Sequence, residues 1–77
     1  MRRILVAEPS APISAALRRF LDGTAEVHVV HFLDEAVQAV RTRAPDVLIA
    51  SVSGSFDGET LGVRVKKFVP TCGVVLV

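Results

Sequence analysis

Chemistry in this sequence would fall to a handful of side chains: the carboxylates Glu8, Asp46 and Asp57, the histidines His28 and His31, the hydroxyl of Ser51, and Cys72. His28 and His31 are three residues apart in a β-rich run, so they point to opposite faces of a strand and cannot jointly hold one metal ion. They read as surface or edge-strand histidines. Ser51 would act as a nucleophile only with a general base within hydrogen-bonding reach. Cys72 has no charged neighbour to activate it and reads as packing or turn surface. As the single cysteine, it excludes an internal disulfide and a multi-cysteine metal site, which is compatible with a reducing cytoplasm. The stretch Gly54-Ser55-Phe56-Asp57-Gly58 could hold an anion on its backbone donors. Without a lysine or a GxxxxGK pattern it reads as an ordinary loop, with Asp57 serving turn chemistry before Gly58.

The elements that position these residues alternate between two periodicities. The centre is Asp46-Val47-Leu48-Ile49-Ala50-Ser51, a short, almost purely apolar run introduced by Ala44-Pro45 and followed by the glycine- and serine-rich loop; it reads as a central strand. Ahead of it, Ile4-Leu5-Val6-Ala7 predicts a first strand over residues 3–7, ended by Glu8-Pro9-Ser10 because proline lacks the ladder's donor. Ile13, Ala16, Leu17, Phe20 and Leu21 share one helical face, with Ser10 as N-cap and Gly23 just past the C-terminus. Residues 26–32 form the second strand. Asp34 is the expected cap of a second helix whose inner face is Ala36, Val37 and Val40, with Arg41 and Arg43 near its negative end and Pro45 closing it. Beyond the central strand, Leu61, Val65 and Phe68 mark a weaker third helix over 59–68, and Val74-Val75-Leu76-Val77 is a fourth strand. The order β-α-β-α-β-α-β predicts an α/β fold with a doubly wound parallel sheet. In such sheets ligands and chemistry sit just outside the carboxyl ends of the strands, which is where Glu8, Ala50 and Ser51 stand.

Composition bounds the function. At 77 residues and 51% hydrophobic, the chain is one core-rich domain or a piece of one, spanning 1–77. A net charge of +1 supplies no field that argues for direct nucleic-acid contact or an anionic membrane surface. Arg2-Arg3 and Lys66-Lys67 read as solvated surface. The apolar run after Arg3 stops at Glu8, short of the roughly 7–15 residues of a signal core. Nothing approaches the roughly 20 apolar residues of a membrane span, so no membrane insertion is expected and a soluble protein is.

Several landmarks, in this order, carry a resemblance: Ile4-Leu5-Val6-Ala7-Glu8, Glu35-Ala36-Val37, Pro45-Asp46-Val47-Leu48-Ile49, Asp57-Gly58-Glu59-Thr60-Leu61, and Pro70 with Gly73-Val74-Val75-Leu76-Val77. The chain resembles the receiver domain of bacterial two-component response regulators over its whole length. That resemblance implies a flavodoxin-like sheet of strand order 2-1-3-4-5, cut here to 2-1-3-4 with strand five and two helices missing. Working receivers take a phosphoryl group from a histidine kinase onto an aspartate at the end of strand three. Mg²⁺, held by that aspartate and an acidic pair after strand one, neutralises the charge on the transferred oxygens.

Carried onto this sequence, the acidic pair falls on Glu8 and Pro9, and the phosphoacceptor falls on Ser51 counted from Pro45-Asp46 or on Ala50 counted back from Asp57-Gly58. Neither is an aspartate. The methionine-proline pair common in the family's loop is Gly54-Ser55 here, and the family's later Ser/Thr and lysine would lie past Val77. One carboxylate and a hydroxyl cannot build a multi-oxygen Mg²⁺ cage, and in the implied topology neither histidine lies near Ser51. The expectation is a degenerate, non-phosphorylatable receiver: no enzyme, no cofactor and no metal, cytoplasmic, acting as a protein-interaction or regulatory module. Its expected working surface is the loop after strand three, the third helix and strand four. The alternatives are the N-terminal fragment of a longer regulator with a DNA-binding or enzymatic output domain, and a small-ligand binder using the pocket near Glu8 and Ser51. Strand four, Gly73-Val74-Val75-Leu76-Val77, would leave a flat apolar edge. Either the 77 residues belong to a longer chain, or a homo-oligomer or exchanged dimer completes the sheet there.

Overall fold

The computed structural model describes residues 2–52 and 56–77. Its elements run β1 (Arg3–Ala7), α1 (Ala11–Leu21), β2 (Glu26–Val30), α2 (Leu33–Arg43), β3 (Val47–Ala50), α3 (Gly58–Phe68) and β4 (Gly73–Leu76). All pairings are parallel, in the order β2-β1-β3-β4, so the fold is the parallel α/β sheet expected from the periodicities, in the flavodoxin-like order that the resemblance implied. The step from β1 to β2 moves one way across the sheet and the next two steps move the other way. With right-handed crossovers, α1 therefore lies on one face and α2 and α3 on the opposite one.

The core is on the α2–α3 side. Leu5, Ala7, Val30, Leu48 and Ala50 from the sheet meet Ala36, Ala39, Val40, Leu61 and Val65 from the two helices, with Phe56 and Cys72 closing the ends. Alternation along the strands selects this set: the register aligns Leu5 with Leu48 and Ala7 with Ala50, so their side chains share a face. At the opposite end of the strands, Asp46 Oδ2 accepts from the Arg3 N–H at 2.7 Å, and the Arg3 guanidinium donates to the Arg43 carbonyl at 2.9 Å. Asp46 thus closes the amino end of the sheet, away from the carboxyl ends of the strands.

The capping residues account for the element ends. Ser10 Oγ accepts from the Ile13 N–H, and Pro12 occupies the first turn of α1, where its missing donor costs nothing. Gly23 follows the helix at φ 85°, the left-handed position that favours glycine. Helix α2 departs from expectation: its N-cap is Phe32, not Asp34, and the Glu35 carboxylate reaches back to accept from the Phe32 and His31 N–H groups at 3.3 and 3.4 Å. A carboxylate in the first turn serves orphan donors as well as a cap side chain does. Correspondingly, β2 ends at Val30 and not at Phe32, since the donors of His31 and Phe32 belong to the helix start.

The helical stripes form where predicted, and what differs is how far each is covered. The apolar stripe predicted for α1 is largely uncovered, with Ile13 51% and Phe20 84% exposed, while the buried residue of the helix is Ser14. Phe68 of α3 is 51% exposed and packs under the Arg41 guanidinium, 5.1 Å from its ring centre. Periodicity reports which sector of a helix is apolar, not how much of it a neighbouring layer covers. Helix α1 packs chiefly on β1 and β2, and much of its stripe stays at the surface. The expected outcome is that Phe20→Ser changes unfolding free energy by less than about 0.5 kcal/mol, whereas Leu61→Ala, 1% exposed, costs about 2–5 kcal/mol. Urea unfolding of the two variants checks this contrast.

Candidate functional site

The carboxyl ends of β1 and β3 bring together three of the four residues singled out from the sequence. Glu8 directly follows β1 and is 3% exposed. Its N–H donates to the Val30 carbonyl, and its carboxylate accepts from the Ser10 N–H at 3.1 Å. Pro9 is exposed and carries no donor or acceptor on its side chain. Its role is to end the ladder and turn the chain toward α1. Ala50 is the last residue of β3, and its methyl group belongs to the core beneath α3. Ser51 is fully buried, and its N–H donates to the Ala7 carbonyl at 3.0 Å. The β1–β3 register pairs Ala7 with Ala50, and one more step along it sets Glu8 beside Ser51.

Helix α3 is pressed directly onto this edge. A Cβ placed on Gly58 would overlap the Ser51 carbonyl oxygen and come within 3.2 Å of the Ala50 methyl, so only glycine lets the helix start here. Asp57 caps that start. Its carboxylate accepts from the Thr60 N–H at 3.0 Å and from the Thr60 hydroxyl, and these bonds, the hydroxyl's first, hold its pKa below the ordinary 3.8 against a small opposing desolvation. The turn chemistry read at Asp57 is thus a helix N-cap. Gly54 and Ser55 lie outside the described residues, so the anion cradle considered for that loop is described only from Phe56 onward.

Comparison with family models gives no match, and comparison with curated proteins gives no relative. The chemistry of the edge therefore stands on its own donors. A phosphoryl-transfer site of the receiver type needs Mg²⁺ in an oxygen cage. Glu8 offers the one carboxylate, already accepting from Ser10, while Pro9 and Ala50 offer no side-chain oxygen. This donor set does not fit the ion. Among the described residues, no group of three or more His, Cys, Asp or Glu side chains is placed to hold a metal.

The histidines separate as strand alternation predicts, and one of them makes a contact that spacing could not reveal. His31 Nε2 lies 3.2 Å from Ser14 Oγ, and that hydroxyl is 3.0 Å from the Ala11 carbonyl, to which it donates. With the Ser14 hydroxyl also bonded to the backbone of its own helix, the pair ties α1 to the residue that follows β2. Lys66, read as solvated surface, donates to the Pro70 and Cys72 carbonyls at 3.1 and 2.8 Å and holds the turn into β4. Cys72 is buried, and desolvation, the largest of its influences, pushes its thiol above the usual range; it is a packing residue.

Two outcomes follow from this geometry. Gly58→Ala, which elsewhere in a helix stabilises, is expected to cost at least about 2 kcal/mol by overpacking against Ser51, read as a lowered urea midpoint. For Asp57 the folded pKa is depressed. Its contribution is therefore complete above the unfolded value of 3.8 and fades as pH falls through the lower folded value. The Thr60 amide resonance should report release of the cap in that acidic window, and Asp57→Asn should flatten the dependence of stability on pH there.

Proposed function

We propose that this chain is a receiver-like module that works by protein contact and does not accept a phosphoryl group on an aspartate. The observation that carries the reading is the end of β3. Where the receiver resemblance puts a reactive carboxylate, Ala50 lies in the core and Ser51 is fully buried under the start of α3. An alanine has nothing to phosphorylate. A serine would form a stable ester and not the reactive acyl phosphate through which receivers switch. The parallel sheet in the order β2-β1-β3-β4, the order expected of such a module, supports the reading. The exposed elements on the α3 side are the outer face of α3 and strand β4. The setting implied is bacterial signal transduction in the cytoplasm.

A second reading has its own support. Ile13, Phe20 and Val75 stand exposed on the α1 side of the sheet, and a longer regulator with an output domain that binds DNA or acts as an enzyme could supply a cover. Sequencing the encoding gene past Val77 separates the two readings.

Titration with beryllofluoride and Mg²⁺, a mimic of the phosphorylated state, tests the main reading. The amide resonances of Glu8, Ala50 and Ser51 are expected to stay in place through the titration. A saturable, Mg²⁺-dependent shift of these amides would overturn the reading.

A further inference from the structure

We propose that the cleft between α1 and the end of β2 binds a phosphate group, as the free ion or as a small phosphate monoester, through Arg18, His31 and Ser14. The proposal goes beyond the reading above and does not rest on it, since none of Glu8, Ala50 and Ser51 lines this cleft.

Ser14 is the starting point. It is the buried residue of α1, 3% exposed, and a hydroxyl in that position costs stability unless it is hydrogen-bonded. It donates to the Ala11 carbonyl at 3.0 Å and lies 3.2 Å from His31 Nε2. An alanine there would pack with no such requirement. Polar residues that break a local pattern in this way concentrate at sites that bind something.

Beside this pair the chain leaves room. Ala11, Ser14, Ala15 and Arg18 stand at i, i+3, i+4 and i+7, one stripe of α1, and with Val29 and His31 they border an open cleft of about 300 Å³. The two alanines are too small to fill it. Val29 is paired with Val6, on the sheet face opposite Leu5 and Ala7, and supplies an apolar wall.

The polar groups on the cleft are a hydroxyl, an imidazole and a guanidinium, all able to donate, and no carboxylate lines it. The acidic residues near it in the chain are engaged elsewhere: the Glu8 carboxylate accepts from the Ser10 N–H, and that of Glu35 from the N–H groups of His31 and Phe32. Asp22, one helical turn beyond Arg18, does not pair with it, because among the described residues the one ion pair joins Arg43 to Glu26. Arg18 therefore brings a positive charge without a counter-charge. Its planar fork matches two oxygens of a phosphate at once, and the serine hydroxyl and imidazole can meet a third. A divalent cation would find no carboxylate here, and an apolar ligand would strip water from three polar groups. An oxyanion fits the set.

Amide spectra of the full chain, titrated with inorganic phosphate or glycerol phosphate against chloride at equal ionic strength, test this. The Ser14, Ala15, Arg18 and His31 amides are expected to shift saturably, with a Kd of about 1 mM for the better ligand. Tighter binding of the ester makes a phosphorylated small molecule the occupant, and tighter binding of the free ion makes it phosphate itself. Arg18 and Arg19 are both exposed, so either can be changed without disturbing the core. Arg18→Gln is expected to weaken binding at least about tenfold, and Arg19→Gln, the same change of charge off the cleft, to leave it within about threefold. Shifts that do not saturate or that chloride reproduces overturn the proposal, and so does equal weakening by the two variants. In those cases Ser14 and His31 only fasten α1 to the sheet. The beryllofluoride titration reads different amides, so its outcome decides the receiver reading separately.

Discussion

The seating of α3 on the end of β3 is the constraint on which most of the molecule depends. Gly58 lies so close to the Ser51 carbonyl that a methyl group would overlap it, and Asp57 holds the first turn in place through Thr60. From that fixed start, the helix projects Leu61 and Val65 into the core over Leu48 and toward Cys72. Gly62 is also close-packed one turn later, since a Cβ there would come within 3.1 Å of the Val74 side chain, which would have to shift by a few tenths of an ångström. Two small residues on one helix face thus hold α3 low over β3 and β4. That depth buries the strand end where a reactive group would have to be reached.

The same packing shapes the carboxyl edge of the sheet. Receivers need a carboxylate that is accessible to a donor and close to a bound cation. Here the strand terminus is a methyl group and a buried serine, and Glu8 is engaged with the backbone of the turn that starts α1. Each residue has been given a structural partner or a packing role. The chain has a flavodoxin-like sheet whose described polar groups at this edge serve turns and caps.

The two sides of the sheet are unequal. On one, two helices and four strands share a dense core. On the other, α1 rests on β1 and β2, with Ser14 and His31 in contact, and Phe20 faces solvent. Buried apolar area is the main source of stability. The side with little of it is therefore the one expected to open first under local unfolding.

The amino-acid sequence by itself determined the number, order and type of the elements, because alternation and helical spacing are local properties of residues near each other in the chain. It also placed Glu8, Pro9, Ala50 and Ser51 at strand ends, since strand length and the breaking residues Pro9 and Pro45 are equally local. Tertiary structure alone decided what those residues touch. The Glu35 cap that displaced Asp34 is local, three and four residues from its donors, whereas the depth of Gly58 on Ser51, the Ser14–His31 contact, and the exposure of Phe20 and Phe68 all depend on how closely separate elements approach. Spacing along the chain carries no information on that distance. It is set when the layers pack, by the volume of the side chains between them.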